Sequence, residues 1–584
     1  MGAQTNVSSQ TRWQTAWLIT VVCLALALVV ASMAALNTAL PEIAPEIGAT
    51  SNQMTWLIDG YTLTLAALLL PAGAIGDRFG RRGILIAGLI VFAVASVLPV
   101  WITDPNLIIV TRCLAGAAAA FIMPATLSLT SSGVPTSKRP LAVAIWSGVA
   151  GAGAIIGFFI TGLLLEFFAW HSIFITFSVT AAVIALLSFT IGSSKDPHPK
   201  RFDLLGSITV PVAVALFVYG LVEAPHRGWN NPLVIVMLVL GVVLGALFVL
   251  IELRVTDPLL DVRLFGNRAF SAGALSVLLS FLASFGGFYV LLQDLQLVFG
   301  YSALKSAFAL VPMVATVMVF SLLSNWFAVR FSLRTALALG AFLMGLGLVL
   351  IGTVDYTTYW PLMGILVVVA IGIGIAAAPS TTAIMVNTPE RSHGVGSAVN
   401  DTARELGAAV GIAIAGSIVA AGYTSRAHAT TDLAEQGLHR QAQAAAAAGN
   451  QDAASQIESL IPGVGEHIHR SFAEAVQVAH QISARLPGPL GHEIFVSAQN
   501  AFIEPMNQAC ITLGSIVIFS GAVLAVLTPD RVDASRRPAG GDDAGEDDAG
   551  AGAAAGSQIE DPDAPGADSA EPDSPGAVGS DSDR

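Results

Sequence analysis

The chain has 584 residues, of which only 11% are Asp, Glu, Lys or Arg and 54% are hydrophobic, with a mean hydropathy of +0.72. An ordinary soluble domain carries about 25% charged residues, so a water-soluble globule is excluded, as is disorder over most of the length. The net charge of -13 leaves nothing basic enough for nucleic acid, and it sits at one end: residues 538–584 hold 13 acids and one base, against 27 acids and 26 bases in residues 1–537.

A hydrocarbon core of about 30 Å takes about 20 apolar residues at 1.5 Å rise each. Fourteen such runs can be drawn: 16–36, 55–75, 83–102, 106–129, 141–165, 172–191, 204–222, 233–252, 271–292, 306–328, 335–354, 360–380, 396–421 and 505–527. The first is long for a secretory signal and lacks a cleavage site before Pro41, so it is expected to be retained. Cys23, Cys113 and Cys510 lie in or beside apolar runs and form no spaced framework, which indicates neither disulfides nor a cysteine metal site. The segments divide into a short amino terminus (1–15), a first six-helix bundle (16–192), two inserted helices (203–252) and a second six-helix bundle (270–528). The second bundle includes a long outer loop (422–500), and an acidic tail (538–584) follows.

An even number of crossings puts both termini on one side, and the Lys/Arg bias sets which. With the amino terminus in the cytoplasm, 18 bases fall inside, two in short outer loops (Arg227 and Lys305) and four in the long outer loop. The chain also repeats. An offset of 252 sets Gly48 on Gly300, Arg78 on Arg330 and Arg82 on Arg334, and an offset of 254 sets Gly153 and Gly157 on Gly407 and Gly411. Two parallel halves follow, spans 1–6 and 9–14, an arrangement that in transporters places the binding site where the halves meet.

The loop after span 2 reads Gly73-Ala-Ile-Gly-Asp77-Arg78-Phe-Gly80-Arg81-Arg82. It resembles the signature loop of the major facilitator superfamily, G-x-x-x-D-R-x-G-R-R, at every fixed position. Glycines there let helices approach closely, and Asp77 beside an arginine or a helix end can latch the cytoplasmic face. Arg112-Cys-Leu-Ala-Gly116 is similar to the family's R-x-x-x-G in span 4. The 14 spans, the Asn37–Pro41 segment, Trp56-Leu-Ile-Asp59-Gly-Tyr61, Gly300-Tyr-Ser and Asn400-Asp-Thr-Ala-Arg404-Glu-Leu-Gly407 resemble the 14-spanner drug:proton antiporter branch over about residues 16–528. The resemblance implies an all-α integral membrane protein with a major facilitator fold, two six-helix bundles plus two inserted helices. It also implies export of amphipathic or cationic drugs in exchange for protons from the plasma membrane, by a chain working as a monomer. Two positions depart from the branch. Ser32 stands where an aspartate implicated in cation recognition or coupling is usual, and the span 5 signature G-x-x-x-G-P-x-x-G-G reads Gly153-x-x-x-Gly157-Phe158-x-x-Thr161-Gly162.

An ionisable group within hydrocarbon costs at least about 2.5 kcal/mol and marks a functional candidate. Asp59 lies roughly 6 Å below the outer end of span 2 and Arg112 roughly 9 Å below that of span 4. At matching height, Asp59 is expected to carry the proton with Arg112 tuning it; a permanent salt bridge, or an interfacial Asp wetted by the outer vestibule, is the alternative. In span 13, Asp401, Arg404 and Glu405 share a face at i,i+3 and i,i+4 spacing, either as a self-neutralising gate support or in coupling or substrate charge recognition. Asp294 is expected at a solvent-reached cavity mouth, and Glu166 and Glu504 as solvated helix ends. Phe158, Phe159, Phe285, Phe288 and Tyr289 could line a greasy cavity. Gly153 and Gly157, with Gly162, suit close helix packing.

The outer loop should hold an amphipathic helix near residues 466–485, and its His467, His469, His480 and His492 lack metal-ligand spacing. The tail is too polar to bury a core and is expected to be disordered. The partners expected are a small-molecule substrate, protons and the bilayer, with no metal or cofactor. There is no G-x-x-x-x-G-K-[ST] loop, so neither a nucleotide-driven pump nor an enzyme is expected. An exporter of a lipid, siderophore or metabolite, and a non-transporting receptor or scaffold, are the competing readings.

Overall fold

The computed structural model describes residues 12–49, 51–192, 203–389, 392–486 and 488–529. The acidic tail, the amino-terminal residues 1–11 and the basic positions Lys195, Lys200, Arg201, Arg391, Arg531, Arg536 and Arg537 lie outside them. Among the described residues the chain is helical throughout, without a strand. Its helices are α1 (Arg12–Ile47), α2 (Ser51–Phe79), α3 (Arg81–Val97), α4 (Pro105–Gly133), α5 (Arg139–Phe167), α6 (His171–Ser188), α7 (Leu204–Arg227) and α8 (Pro232–Glu252). There follow α9 (Arg268–Gln293), α10 (Ala303–Arg330), α11 (Leu333–Thr353), α12 (Tyr359–Val386), α13 (His393–Arg426), α14 (His428–Ala447), α15 (Gln451–Arg470), α16 (Phe472–Arg485) and α17 (Leu490–Leu527). Thirteen helices are long and apolar enough to cross a membrane, and α5, bent by 42° between two limbs, makes 14. The crossings are α1–α13 and α17.

Helix ends follow local chemistry. Asp104, Asp203, Asn231, Asn267, Ser302 and Ser332 each accept a backbone N–H of the first turn with their side chains. Between α2 and α3 the chain reverses at one residue, Gly80, with φ +105°, a conformation that a side chain would strain.

One buried apolar cluster is built mainly from α1–α6 and another from α9–α17. The duplicated glycines do the same work in both. A Cβ on Gly157 of α5 would fall 2.7 Å from Ala31 Cα of α1, and one on Gly411 of α13 would fall 3.0 Å from Leu282 Cα of α9. Each half is thus knitted by the same close crossing, which the small-residue spacing permits. Gly153 is pressed on Val30 of α1, where a Cβ would fall 2.7 Å from the valine Cβ, whereas Gly162 has ordinary clearance from Leu304 of α10, 3.5 Å or more, so the expected close packing does not extend to it. The inserted pair is asymmetric. Val210 of α7 and Phe248 of α8 join a third cluster with Leu70, Phe270 and Val395, while most of α8 stays uncovered, including Val236, Val239, Val243, Leu247 and Leu250. Apolar side chains in that position face lipid.

The long loop folds as α14–α16 over the ends of α13 and α17. Tyr423 donates its hydroxyl to Ile468 O (3.0 Å), Thr430 and Ser497 share a hydrogen bond (2.7 Å), and the Phe472 and Phe502 rings stack at 4.5 Å. The helix expected over 466–485 is two helices, broken at Ser471. The reason is an N-cap: in Ser471-Phe-Ala-Glu474 the serine Oγ accepts the Glu474 N–H at 3.2 Å and starts a new helix, while the Glu474 carboxylate reaches back to His467 and Arg470. Helices α13 and α17 also run further than drawn, starting at His393 and Leu490. His467 contacts Glu474 (2.8 Å) and His469 contacts His428 (2.9 Å). No group of three metal-ligand side chains occurs among the described residues.

Candidate functional site

At the end where α2 turns into α3, Asp77 is the junction of the two halves. Its Oδ1 accepts from the Gly394 N–H (2.9 Å) and from Arg81 Nη2 (2.7 Å) and Nε (2.9 Å), and its Oδ2 accepts from the Val395 N–H (3.2 Å). Gly394 and Val395 are the second and third residues of α13, so a carboxylate caps the positive end of a helix in the opposite half. The approach is possible because Gly73 and Gly394 have no side chains: a Cβ on Gly73 would sit 2.8 Å from Ala398 Cβ. Arg82 donates to Ile191 O (2.9 Å), tying α3 to the end of α6, and Arg78 lies over the Phe79 ring.

Arg112 is buried in α4. It donates to Leu57 O (3.2 Å), Ser32 Oγ (3.3 Å) and Ser32 O (3.3 Å), with its guanidinium carbon 4.5 Å from the centre of the Tyr61 ring. Asp59 does not join it. Its side chain lines a small cleft with Trp56, Leu63, Tyr219, Val222 and Glu223, facing the inserted helix α7. The expected Asp59–Arg112 partnership is therefore corrected, and the cause is helical periodicity. At about 100° per residue, Leu57 and Tyr61 share the face toward α4, and Asp59 is rotated some 200° from Leu57 onto the stripe Trp56-Asp59-Leu63. Glu223 in turn binds Arg227 one turn along α7, and Trp56 packs on Tyr219 with ring centres 5.5 Å apart.

The polar residues of α13 form a buried chain. Thr381 donates to Asn400 Oδ1 (3.1 Å), and Asn400 Nδ2 donates to Asp401 Oδ1 (3.2 Å). Arg404 Nη1 reaches the same oxygen at 3.5 Å. Asp401, Arg404 and Glu405 are all buried. Beside this chain lies a cavity with about 60 Å³ open to the centres of water-sized molecules. Its walls come from α9, α10, α12 and α13 of one half and α5 of the other. Arg404 is its floor, lying 4.5 Å from the Phe281 ring centre and 5.3 Å from that of Trp146, whose indole N–H is anchored to Thr126 Oγ1 (3.0 Å). Phe285 and Phe288 line the cavity; Phe159 instead packs edge-on against Phe308 of α10, and Tyr289 is partly exposed.

Asp294 is not at a solvent-reached mouth. It opens a π-helical turn, Asp294–Val298, at the end of α9, is 2% exposed and accepts a hydrogen bond from the Tyr356 hydroxyl (3.2 Å). The loop carrying Tyr356 folds over it, which a reading of α9 alone cannot foresee. Burial, then the neighbouring Asp294 carboxylate, raises the Tyr356 hydroxyl above its ordinary pKa. Glu166 is exposed, and Glu504 pairs with Arg426 at 2.8 Å. Glu223 and Trp146 were not singled out from the sequence. Glu223 had a signal, the i,i+4 stripe Tyr219-Glu223-Arg227, whereas an indole in a membrane helix has none.

The model of the Major Facilitator Superfamily matches residues 22–412. The chain belongs to that superfamily. It is a multi-pass membrane protein of a transporter family. It is 30% identical over 82% of its length to the multidrug efflux pump LfrA of Mycolicibacterium smegmatis, covering 89% of that protein. It is 29% identical over 81% of its length to the tetracenomycin C resistance and export protein of Streptomyces glaucescens, covering 84% of it. Identity to the methyl viologen resistance protein SmvA of Salmonella typhimurium is 28%, over 81% of this chain and 90% of that one.

Proposed function

We propose that this chain is a secondary exporter of drug-like amphipathic compounds, driven by protons entering as cargo leaves. It works as a monomer in the plasma membrane with both termini in the cytoplasm. The carrying observation is the Asp77 cap on α13, a contact between halves made of two hydrogen bonds from Gly394 and Val395, with Arg81 of the same half holding the carboxylate in place; the two can be released together when the halves rock. In the proposed orientation it closes the cytoplasmic side while the cavity above Arg404 holds cargo. The names of the relatives, an efflux pump and a resistance and export protein, support export.

Asp59 is proposed as a proton carrier. Its carboxylate has no ion-pair partner among the described residues, and it shares a cleft with Glu223, so taking up a proton would relieve the repulsion between two acids. The second carrier group is the α13 set, Asp401 and Glu405 around Arg404. Reconstitution into liposomes with a trapped pH-sensitive dye tests the reading. Cargo added on the appropriate side should provoke proton movement that an empty liposome lacks, and proton flux unaffected by any cargo would overturn it.

A further inference from the structure

We infer that the cavity floored by Arg404 takes a flat aromatic compound presenting an anionic or carbonyl oxygen, and that it disfavours lipophilic cations. This rests on the export reading above and names the chemistry of its cargo.

Among the described residues lining the cavity, Arg404 is the one that bears a charge. Its Nε has no hydrogen-bond partner among the described residues although it is buried, and its bond to Asp401 is long at 3.5 Å, so donors remain for an acceptor. Ser147, also on the lining, has a buried hydroxyl without a partner among the described residues and can donate a second bond. The other lining hydroxyls are already engaged: Ser280, Ser284 and Ser380 donate to carbonyls of their own helices, and Thr381 donates to Asn400. The cavity therefore offers donors and no carboxylate.

The two acids nearby stand behind the lining. Asp401 is fully covered and meets the lining through Arg404 and, by way of Asn400, through Thr381, while Glu405 is buried beside Arg404. Neither belongs to the lining. A cation in the cavity would meet the guanidinium before either acid, since neither acid lies on the lining. An aromatic acceptor gains twice, because Phe281 and Trp146 hold the guanidinium flat and a ligand ring can stack on Phe285 and Phe288 while its oxygen reaches Nε. A guanidinium serving only as the counter-ion of Asp401 would give the cavity no preference for ligand charge, so charge preference is the deciding readout.

The test uses the full chain in lipid nanodiscs and two probes of one ring system, 1-pyrenecarboxylate and 1-pyrenemethylammonium, with empty nanodiscs as baseline. The carboxylate should bind at least about tenfold more tightly, and Arg404→Gln should remove that preference. Phe288→Ala should weaken binding of the carboxylate, and it serves should the arginine variant fail to fold. Equal or tighter binding of the ammonium probe to the wild-type chain overturns the inference. Equilibrium binding needs no proton gradient, so a carboxylate preference without cargo-provoked proton flux would sink the export reading alone. Coupled export of the ammonium probe, without carboxylate preference, would sink this inference alone.

Discussion

Ser32 and Arg112 are direct partners: the guanidinium bonds both the hydroxyl and the backbone carbonyl of the serine at 3.3 Å. In the branch this chain resembles, an acid is usual at position 32. Here the arginine is held by neutral groups, two carbonyls, one hydroxyl and an aromatic face, inside a buried cluster. A hydrogen bond to a charged group contributes about 1.5–3 kcal/mol, so Ser32→Ala should lower stability by about 2 kcal/mol. Ser32→Asp, which supplies a counter-charge, should melt above the alanine variant. Thermal unfolding in detergent followed by tryptophan fluorescence checks both, and an alanine variant as stable as wild type would show that the bond is idle.

Asp77→Asn should unlatch α2 from α13. The amide keeps one acceptor oxygen, loses the charge that favours the α13 amino end and cannot take all four donors. We expect the closed arrangement to lose at least about tenfold in population. Spin labels on the exposed Phe79 position and on α13 near its start would read a broader and longer distance distribution. An unchanged distribution would mean that the contact follows closure without holding it.

Gly157→Val and Gly411→Val should be equivalent injuries, because each drives a side chain into the backbone of the helix it crosses, at Ala31 and Leu282 respectively. Overpacking of this kind costs typically 1–3 kcal/mol. Both variants should express poorly and melt lower than Gly364→Ala, whose added Cβ meets nothing within 4 Å.

Asp59→Asn should abolish cargo-provoked proton flux in liposomes while leaving a folded chain that still binds pyrenecarboxylate. Glu223→Gln removes the neighbouring charge but keeps the shape, so it should shift the pH at which flux is half-maximal to lower values. The cleft then holds one acid instead of two. A flux profile that stays put would separate α7 from coupling.

The number of crossings, the paired halves and the glycine contacts could be read from the sequence because each is a one-dimensional pattern, a length, an offset or a spacing. The position of Asp59 could have been read as well. Trp56, Asp59 and Leu63 fall on one stripe and Leu57 and Tyr61 on another, a phase that matching the height of Asp59 to Arg112 ignores. The Ser471 break also had its signature in Ser471-Phe-Ala-Glu474. What no pattern carries is which helices end up beside one another. The burial of Asp294 under Tyr356, the closure of Asp77 on Gly394 and the seating of Arg404 between Phe281 and Trp146 all join residues 62 or more apart in sequence or on separate helices.

The matched crossings of α1 with α5 and of α9 with α13 bear on how such a machine can move. Backbone lying on backbone holds each pair of helices at a fixed crossing, so in the proposed rocking of the halves the stroke falls on the seams between them. Of those seams, the one at Asp77 is fastened by polar bonds that water can replace, so it can part and re-form without disturbing the packing inside either half.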